Sequence, residues 1–540
     1  MNRIDKTIGI TGVIMLGSIV ATYVIASLTL LFGGHISALT ALFGLFAGIA
    51  IGFLFFPKES LNIIAGAALL SEIISGIFVW IGSSLFDFSY DGNFYHQPTI
   101  MALTMGWNPI HDAAAPVELT VWSLHYARAM ETVQAAAAML FDNVEAAKCV
   151  NFMLIAATGL ISYSALRRYT SISPRFAAIT ALVAVSNPVV ICQCLTFYID
   201  YTKYLYLILT IIAIIGIAHD RKPSRGIALL AGVVWLAIGT KFNIFFEEGV
   251  AIAAALAWLM YKKLNHAALI TTITGIGALV TGVLILGWHP YITNWIGNGH
   301  PLYPLMGEGA LEIMEAQTPA IYENGNRFVN FFISLATPEL FVTVDSRNGA
   351  FGPIAILIFA IAWFLLLKHI KVFGGLAVYI SVWCLASCFF FEQSWWGRYV
   401  CQLWLPVPLA VAVSFQAAKR IIPILLSSLV VITALLCTSS VYYSSLRRTL
   451  FRKAVCNALK DEIVEARNLN VAFRQQLEQG GIQVFESKSL NAADYGIMYF
   501  FGFTGEEKPI LKLNEDQITS VRLEFYITPF NYSEVTEGWE

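Results

Sequence analysis

The chain has 540 residues, of which 57% are hydrophobic and only 13% are charged. Its mean hydropathy of +0.69 excludes a water-soluble globule with an ordinary polar surface. A formal net charge of −2 provides no basic surface, which argues against a nucleic-acid partner. The composition therefore predicts a polytopic α-helical membrane protein that is surrounded by membrane lipids.

Apolar stretches long enough to cross a bilayer recur up to about residue 442, and about 13 transmembrane helices fit into residues 1–442. The predicted spans lie at residues 8–32, 36–56, 61–82, 146–166, 176–195, 203–218, 226–243, 246–261, 267–287, 351–367, 373–391, 402–417 and 421–442. Between two of them, the sequence TKFNIFFEE predicts either a tight outer turn or the interrupted part of a re-entrant hairpin.

The distribution of Lys and Arg predicts the orientation of these spans, because such residues near span ends resist export. Cations such as Arg167 and Arg168 recur in alternate short loops, which places the amino terminus in the cytoplasm. Two long loops, at about 83–145 and 288–350, then lie outside. We expect an integral protein of a bacterial inner (plasma) membrane whose function is carried by these extracytoplasmic loops.

The first long loop contains a predicted helix from about Pro116 to Leu140. Its apolar residues gather on one side and its charged residues on another. Two interpretations stay open, a helix that lies along the membrane interface and a helix that packs on the spans.

The composition becomes that of a soluble domain after Tyr443, so residues 443–540 predict a small α/β domain on the extracytoplasmic side. A helix, a Gly-Gly turn and a short strand are expected first, and further strands at Tyr495–Phe503 and Ser520–Ile527. Four cations near its start run against the inward bias of positive charge and suit lipid phosphates. They are Arg447, Arg448, Arg452 and Lys453.

Asp91 lies shortly after the third predicted span, in the sequence SYDGNFYHQPTIMALTMGWNPIHD of residues 89–112. A carboxylate at that depth suits a general base for a reaction between a lipid-borne substrate and an acceptor from the aqueous side. The alternative is structural, since Asp91 and the residues after it also suit a turn or a helix cap.

The same stretch resembles the GT-C superfamily of polytopic glycosyltransferases, especially its aminoarabinose-transferase and protein-mannosyltransferase members. The resemblance rests on one set of residues in the first long loop: Asp91, Tyr95, His96, Gly106, Trp107, Pro109, Asp112 and Pro116. Two features depart from that family. Two additional spans precede the loop, and Gly92 occupies the position at which a second acid is expected.

The resemblance implies a polyprenyl-phosphate-linked sugar as donor and a glycan, lipid or protein as acceptor. It implies transfer in one displacement that inverts the anomeric carbon, with Asp91 as the base and Tyr95, His96 and Asp112 in supporting positions. No cofactor is implied and no metal-ligand set is predicted, although a divalent metal stays an alternative. The eight cysteines show no zinc spacing and suit apolar packing.

A leaving phosphate needs a cation, and two are candidates in the predicted outer segments. Arg398, followed by Tyr399, suits bidentate phosphate binding, whereas an aromatic anchor with Arg398 paired to Glu392 is the alternative. Lys241 suits the same phosphate as a point charge or simply extends its amine to the interface.

The second long loop contributes His289 and His300 as candidate sugar-binding residues. The segment around His300, GHPLYP, resembles an Asn-Pro-Leu-Tyr-Pro segment of GT-C-like membrane proteins, with His300 in place of the Asn. Turn formation is the alternative for this segment. Asp200, in another outer loop, is expected to be a solvated acid rather than a substrate-positioning residue.

The sequence therefore predicts a glycosyltransferase that acts on lipid-linked sugars at the extracytoplasmic face. A polymerase or ligase of lipid-linked glycans is a related alternative. A lipid or solute transporter is the alternative outside the enzymes. The polar residues gather in the outer loops and no inverted repeat is visible, which favours chemistry at the surface over translocation.

Overall fold

The computed structural model describes residues 2–311, 318–323, 325–337, 344–346, 351–467, 471–486, 510–513, 516–517 and 519–520. The α-helices in chain order are α1 Arg3–Leu31, α2 Ala38–Phe55, α3 Leu61–Ser84, α4 Gln97–Thr104, α5 Val121–His125, α6 Ala129–Phe141, α7 Cys149–Tyr169, α8 Pro174–Val185, α9 Pro188–Gln193, α10 Thr202–His219, α11 Ser224–Thr240, α12 Phe242–Tyr261, α13 Asn265–Thr281, α14 Thr293–Asn298, α15 Ala320–Glu323, α16 Arg327–Ala336, α17 Ala355–Lys368, α18 Leu376–Ser387, α19 Pro406–Gln416, α20 Ile421–Ala458 and α21 Val471–Gln479. The strands are β1 Ile463–Arg467, β2 Gln483–Glu486 and β3 Ile510–Lys512.

The fold is that of a polytopic helical membrane protein, as predicted. Within the described residues, nine helices are long and apolar enough to cross a membrane: α1, α2, α3, α7, α10, α12, α13, α18 and α20, some of them extended by adjoining turns. The other four predicted spans fall on the shorter helices α8, α11, α17 and α19. Each predicted span thus coincides with a helix, whereas the count of about 13 stays a prediction.

Helix α1 lies at the centre of the bundle and packs closely on α2. Gly44 and Gly48 of α2 are four residues apart and both lie very close to α1. A Cβ at Gly44 would lie 1.9 Å from Thr22 Oγ1, and a Cβ at Gly48 would lie 2.1 Å from Ser18 Oγ. Small residues at this spacing allow two membrane helices to approach, because apolar burial gives no driving force in lipid.

The chain reverses between α11 and α12 within a single residue. Lys241 is extended, with φ −162° and ψ 144°, and directly joins the end of α11 to the start of α12. Of the two alternatives predicted for this segment, the structure shows the tight turn. It places Lys241 at the same end of the bundle as the loop after α3, through the side-chain contacts described below.

The helix predicted from about Pro116 to Leu140 is two helices, α5 and α6, separated at Tyr126–Arg128. Nearly all of α6 is buried, including its run of alanines at 135–138, and it packs against α1, α2 and α4. The interfacial interpretation is therefore wrong, because the small side chains let α6 enter the bundle.

Helix α20 runs without a break across the predicted boundary at residue 442 and ends at Ala458. After it, β1 lies between β2, to which it is parallel, and β3, to which it is antiparallel. Strand β1 was not predicted. Helix α21 and β2 follow in the order of the sequence, with the Gly-Gly turn between them. The predicted strand Tyr495–Phe503 lies outside the described residues, as does Ser520–Ile527 apart from Ser520.

The carboxyl-terminal part of α20 contacts the loop that follows α3. Thr449 Oγ1 accepts a hydrogen bond of 2.8 Å from Phe86 N, and Arg452 Nη2 donates one of 2.9 Å to Asn93 Oδ1. Arg448 and Arg452 are buried, and Arg452 lies 3.7 Å from Glu145. We had expected these cations to bind lipid phosphates, but Arg448 and Arg452 are buried and not available for that contact. They lie instead between the carboxyl-terminal region and the first long loop.

Candidate active site

Four separate segments bring charged side chains together at one end of the bundle. Asp91 follows α3, Asp200 precedes α10, Lys241 joins α11 to α12, and Arg398 lies between α18 and α19. We call these four residues, together with Asp345, the Asp91 cluster. Asp200 and Lys241 lie just before α10 and α12, two of the helices that are long and apolar enough to cross a membrane.

Asp91 lies on a helical turn that has an unusual local structure. Gly92–His96 form a π-helical turn that continues into α4, and such turns often occur at functional sites. A Cβ at Gly92 would lie 2.0 Å from Asp87 Oδ2, and that carboxylate is fixed by Ser89 and by a 3.0 Å hydrogen bond from Phe197 N. Packing therefore requires glycine at position 92, where the resemblance had led us to expect a second acid.

The two oxygens of Asp91 have different surroundings. Oδ2 accepts hydrogen bonds from Arg398 Nη1 at 2.7 Å and from the Tyr95 hydroxyl at 3.3 Å. Oδ1 makes no hydrogen bond to any described residue, and the side chain is 14% exposed. One oxygen is thus held in place while the other can accept a proton.

Arg398 connects three carboxylates. Besides Asp91, its Nη1 lies 3.3 Å from Asp200 Oδ2 and its Nε lies 3.5 Å from Asp345 Oδ1. The guanidinium lies 4.3 Å from the ring centroid of Trp396. Burial alone would lower the pKa of Arg398, but Asp91 and Asp200 outweigh it and raise that pKa. Glu392 is not among its partners, so the alternative pairing predicted for this arginine is wrong.

Asp200 is buried between two cations. Its Oδ1 lies 2.6 Å from Lys241 Nζ, while its Oδ2 faces Arg398. Burial alone would raise the pKa of Asp200, but Lys241 and Arg398 lower it to about 2. The expectation of a solvated loop acid is therefore wrong, because the chain folds this loop into the site.

Lys241 is likewise buried, and its amine lies 5.7 Å from the ring centroid of Tyr399. Burial alone would lower the pKa of Lys241, but Asp200 raises it. Simple extension to the interface is therefore wrong for Lys241. The Tyr399 ring also lies 5.5 Å from Arg398, so it packs against both cations of the Asp91 cluster.

A second ion pair lies one turn deeper and was not predicted. Lys203 Nζ lies 2.7 Å from Glu247 Oε1 and donates to the carbonyl of Tyr399 at 2.5 Å. Both side chains are buried. This pair joins α10 and α12 to the segment that carries Arg398, and so supports its position.

His96 lies behind Tyr95, with the two ring centroids 4.1 Å apart. Its Nδ1 lies 2.5 Å from Glu131 Oε1, and both groups are buried. A cavity lined by Tyr95, His96 and Lys241 has a volume of about 10 Å³, which is room for about one water molecule. His96 therefore belongs to the packing behind the Asp91 cluster, rather than to its exposed edge.

His289 contacts a buried arginine that was not predicted as a site residue. Its Nε2 lies 2.5 Å from Arg128 Nη2, and its Nδ1 lies 2.8 Å from Thr293 Oγ1. Burial and the Arg128 charge lower the pKa of His289, so the neutral ring accepts from Arg128 and donates to Thr293. Arg128 Nε and Nη1 are buried and have no hydrogen-bond partner among the described residues. Burial lowers the pKa of Arg128 to about 10.

Asp112 and His300 make local turn contacts and do not touch the Asp91 cluster. Asp112 Oδ2 accepts a 2.7 Å hydrogen bond from Asn108 N, and His300 Nδ1 accepts one of 3.1 Å from Leu302 N. For His300 this is the turn that formed the alternative interpretation. Substrate contacts by either residue stay a prediction.

Across the described part of the chain, no group of three His, Cys, Asp or Glu side chains is arranged to hold a metal ion. The carboxylates of the Asp91 cluster face Arg398 and Lys241 instead of one another. The site is thus built from ion pairs between acids and cations.

The sequence and the structure were compared with those of known proteins. No protein-family model matches the sequence, and no curated protein matches it. The crystal structure of ArnT from Cupriavidus metallidurans bound to undecaprenyl phosphate is 13% identical in sequence, with a TM-score of 0.49. The match covers 78% of this chain and 86% of that chain.

Proposed function

We propose that this protein is a glycosyltransferase that moves a sugar from a polyprenyl-phosphate-linked donor to an acceptor hydroxyl, at the extracytoplasmic face of the membrane. The observation that carries the proposal is the geometry of Asp91. Its Oδ2 is fixed by Arg398 and Tyr95, whereas its Oδ1 is free of hydrogen bonds to the described residues. A general base needs this combination of fixed orientation and an accessible oxygen.

The position of Asp91 suits substrates that arrive from two phases. Helix α3 ends at Ser84, and Asp91 begins the next helical segment at that end of the bundle. A polyprenyl chain stays in the bilayer with its phosphate at the headgroup level, while a polar acceptor hydroxyl approaches from water. Asp91 Oδ1 removes the hydroxyl proton as the acceptor oxygen attacks the anomeric carbon.

Arg398 provides for the leaving phosphate. As the bond between the sugar and the phosphate oxygen breaks, negative charge grows on that oxygen, and a nearby cation stabilises it. Arg398 Nη1 and Nε face carboxylates, whereas its Nη2 donates to none of the described residues. A phosphate on Nη2 leaves the contact with Asp91 in place, which holds base and leaving group on one guanidinium.

Asp200 and Lys241 keep that guanidinium in position. Asp200 bridges Arg398 and Lys241, and it contacts the same Nη1 of the arginine that holds Asp91. Tyr95 holds Asp91 from its own helix, four residues away. Positioning of this kind raises the rate because the reacting groups lose little freedom on reaching the transition state.

The experiment identifies the donor first and then tests the base. Mass spectrometry of lipids that co-purify with the full-length protein identifies the polyprenyl-phosphate sugar, and that lipid is then used in a transfer assay. Asp91→Asn is expected to lower the turnover rate by about 10²–10⁴-fold, the usual contribution of a general base, while donor binding persists.

Asp142→Asn is the matched control, because Asp142 is an exposed acid of the same predicted loop that ends α6 in a left-handed conformation, which Asn also adopts readily. It should retain close to wild-type turnover. Wild-type turnover by Asp91→Asn would contradict the proposed role of Asp91, and the absence of any polyprenyl-phosphate sugar among bound lipids and substrates would contradict the proposed function.

A further inference from the structure

A large cavity lies at the end of the bundle opposite to the Asp91 cluster. It has a volume of about 690 Å³, is partly open to the surroundings, and is lined mainly by α1, α7, α10 and α11, with α2 and the residues after it at one edge. Most of its wall is apolar. Cavities of this size hold lipid- or drug-sized molecules.

The mouth of this cavity carries four cations. Three have acidic partners: Lys6 lies 2.9 Å from Glu59, Arg167 lies 3.2 Å from Asp5, and Arg168 lies 2.9 Å from Asp220. The fourth cation is Arg225. Four cations against three acids leave the mouth with one positive charge in excess.

Arg225 is the cation without an acidic partner in the described part of the chain. Its Nε donates to the carbonyl of Phe55 at 2.8 Å, and its guanidinium lies 4.2 Å from the ring centroid of Phe56. These contacts fix the plane of the guanidinium. Its Nη1 and Nη2 donate to none of the described residues, although the group lines the cavity. Two parallel N–H donors in this arrangement match the oxygens of a phosphate.

The depth of the cavity matches a hydrocarbon chain. Its lining extends from Lys6 to Val20 on α1 and from Arg225 to Trp235 on α11. At a rise of about 1.5 Å per residue, these stretches span about 21 Å and about 15 Å. Half of the hydrocarbon core of a bilayer is about 15 Å thick. A chain anchored at the mouth therefore reaches the deep, apolar end.

We propose that this cavity binds one anionic glycerophospholipid, with its phosphodiester on Arg225 and one acyl chain between α1 and α11. The excess positive charge of the mouth favours an anionic headgroup over a zwitterionic one. The apolar depth favours a lipid over a free phosphate ion. Basic pockets between membrane helices bind anionic headgroups in this manner.

The test uses the full-length protein in detergent and native mass spectrometry to count bound lipid. Phosphatidylglycerol is titrated in parallel with phosphatidylcholine of the same acyl chains. We expect phosphatidylglycerol to bind at least about tenfold more tightly. Arg225→Gln should reduce that preference to near unity, and Arg225→Lys should restore part of it. Arg221→Ala is the control, because Arg221 is an exposed cation four residues before Arg225 that does not line the cavity.

A second pair of variants tests the acyl-chain slot. Ala228→Phe and Ala231→Phe each place an aromatic ring in the cavity. The unfolding midpoint of each variant is measured first, and a variant that unfolds at the wild-type midpoint should no longer bind phosphatidylglycerol. Equal binding of the two lipids, or wild-type binding by Arg225→Gln, would overturn the proposal. A third result would also overturn it: inorganic phosphate at millimolar concentration displaces the lipid while the Phe variants bind the lipid as wild type does. That result would identify a site for free anions.

Discussion

Replacing the carboxylate of Asp200 tests whether the Asp91 cluster depends on its buried ion pairs. Asp200→Asn keeps the shape of the side chain but leaves Lys241 buried without the acid that lies 2.6 Å from it. Asp200→Asn and Lys241→Met are compared alone and together. Asp200→Asn leaves Lys241 without its acid, and Lys241→Met leaves Asp200 with the longer contact to Arg398, whereas the double variant removes both members of the pair.

The structure sets limits on the size of this effect. At an effective dielectric constant of about 20, two unit charges 2.6 Å apart attract by about 6 kcal/mol before the cost of their burial is subtracted. The lowered pKa of Asp200, about 2 in place of 3.8, corresponds to about 2 kcal/mol. Removing one partner of a buried pair typically costs about 3–5 kcal/mol, and we expect about 3 kcal/mol for each single variant.

The assay is equilibrium unfolding in mixed dodecylmaltoside and SDS micelles, followed by tryptophan fluorescence. The double variant should be less destabilised than either single variant, because no uncompensated charge is left buried between Tyr399 and Arg398. If each single variant lowers the free energy of unfolding only slightly, and the two losses add up in the double variant, the two residues are not coupled and the reasoning is refuted.

Three further outcomes follow from the same contacts. Arg398→Lys should raise the KM for the donor by about tenfold or more with little change for the acceptor, because an ammonium cannot reproduce the fork of a guanidinium; an unchanged donor KM would leave only an anchoring role. Gly92→Ala should destabilise the protein by about 1–3 kcal/mol in the same unfolding assay, because the new Cβ would lie 2.0 Å from Asp87 Oδ2. Gly66→Ala is the control: a Cβ there would meet no atom within 4 Å, and its stability should stay within about 1 kcal/mol of wild type. The pKa of Asp200 is lower in the folded protein, so its stabilising effect should be present above about pH 4 and decline as the pH falls towards 2; a stability difference between wild type and Asp200→Asn that is constant over that range would contradict this.

Much of the architecture could be predicted because it follows from local composition. A bilayer of about 30 Å demands about 20 apolar residues per span, so every predicted span coincides with a helix. The tight turn at Lys241 was one of two alternatives, and only the helices on either side of it decided between them. The buried helix α6 was harder to predict, because a small-residue face suits both an interface and a packed bundle.

The candidate site was predicted one residue at a time. Asp91 and Arg398 each stood out as a charge at a span end, but they are 307 positions apart and nothing local indicates that they pair. Asp200 resembled a solvated acid, since a single charge in a polar loop carries no signal of burial. Arg128 lies on the charged side of the helix predicted from about Pro116 to Leu140. Its two buried donors that lack a hydrogen-bond partner among the described residues became visible only in the folded chain.

The sequence by itself determined the membrane class, the positions of the helices and the end of the bundle at which polar residues gather, because hydropathy and span length act within short segments of chain. The tertiary structure alone decided which charges meet. An ion pair forms only when loops that are distant in the chain are brought within about 3–4 Å, and the cost of burying a charge depends on the partner found there. Asp91 thus changed from a polar residue beside an apolar span into a carboxylate with one oxygen fixed by Arg398 and Tyr95 and the other free of hydrogen bonds to the described residues.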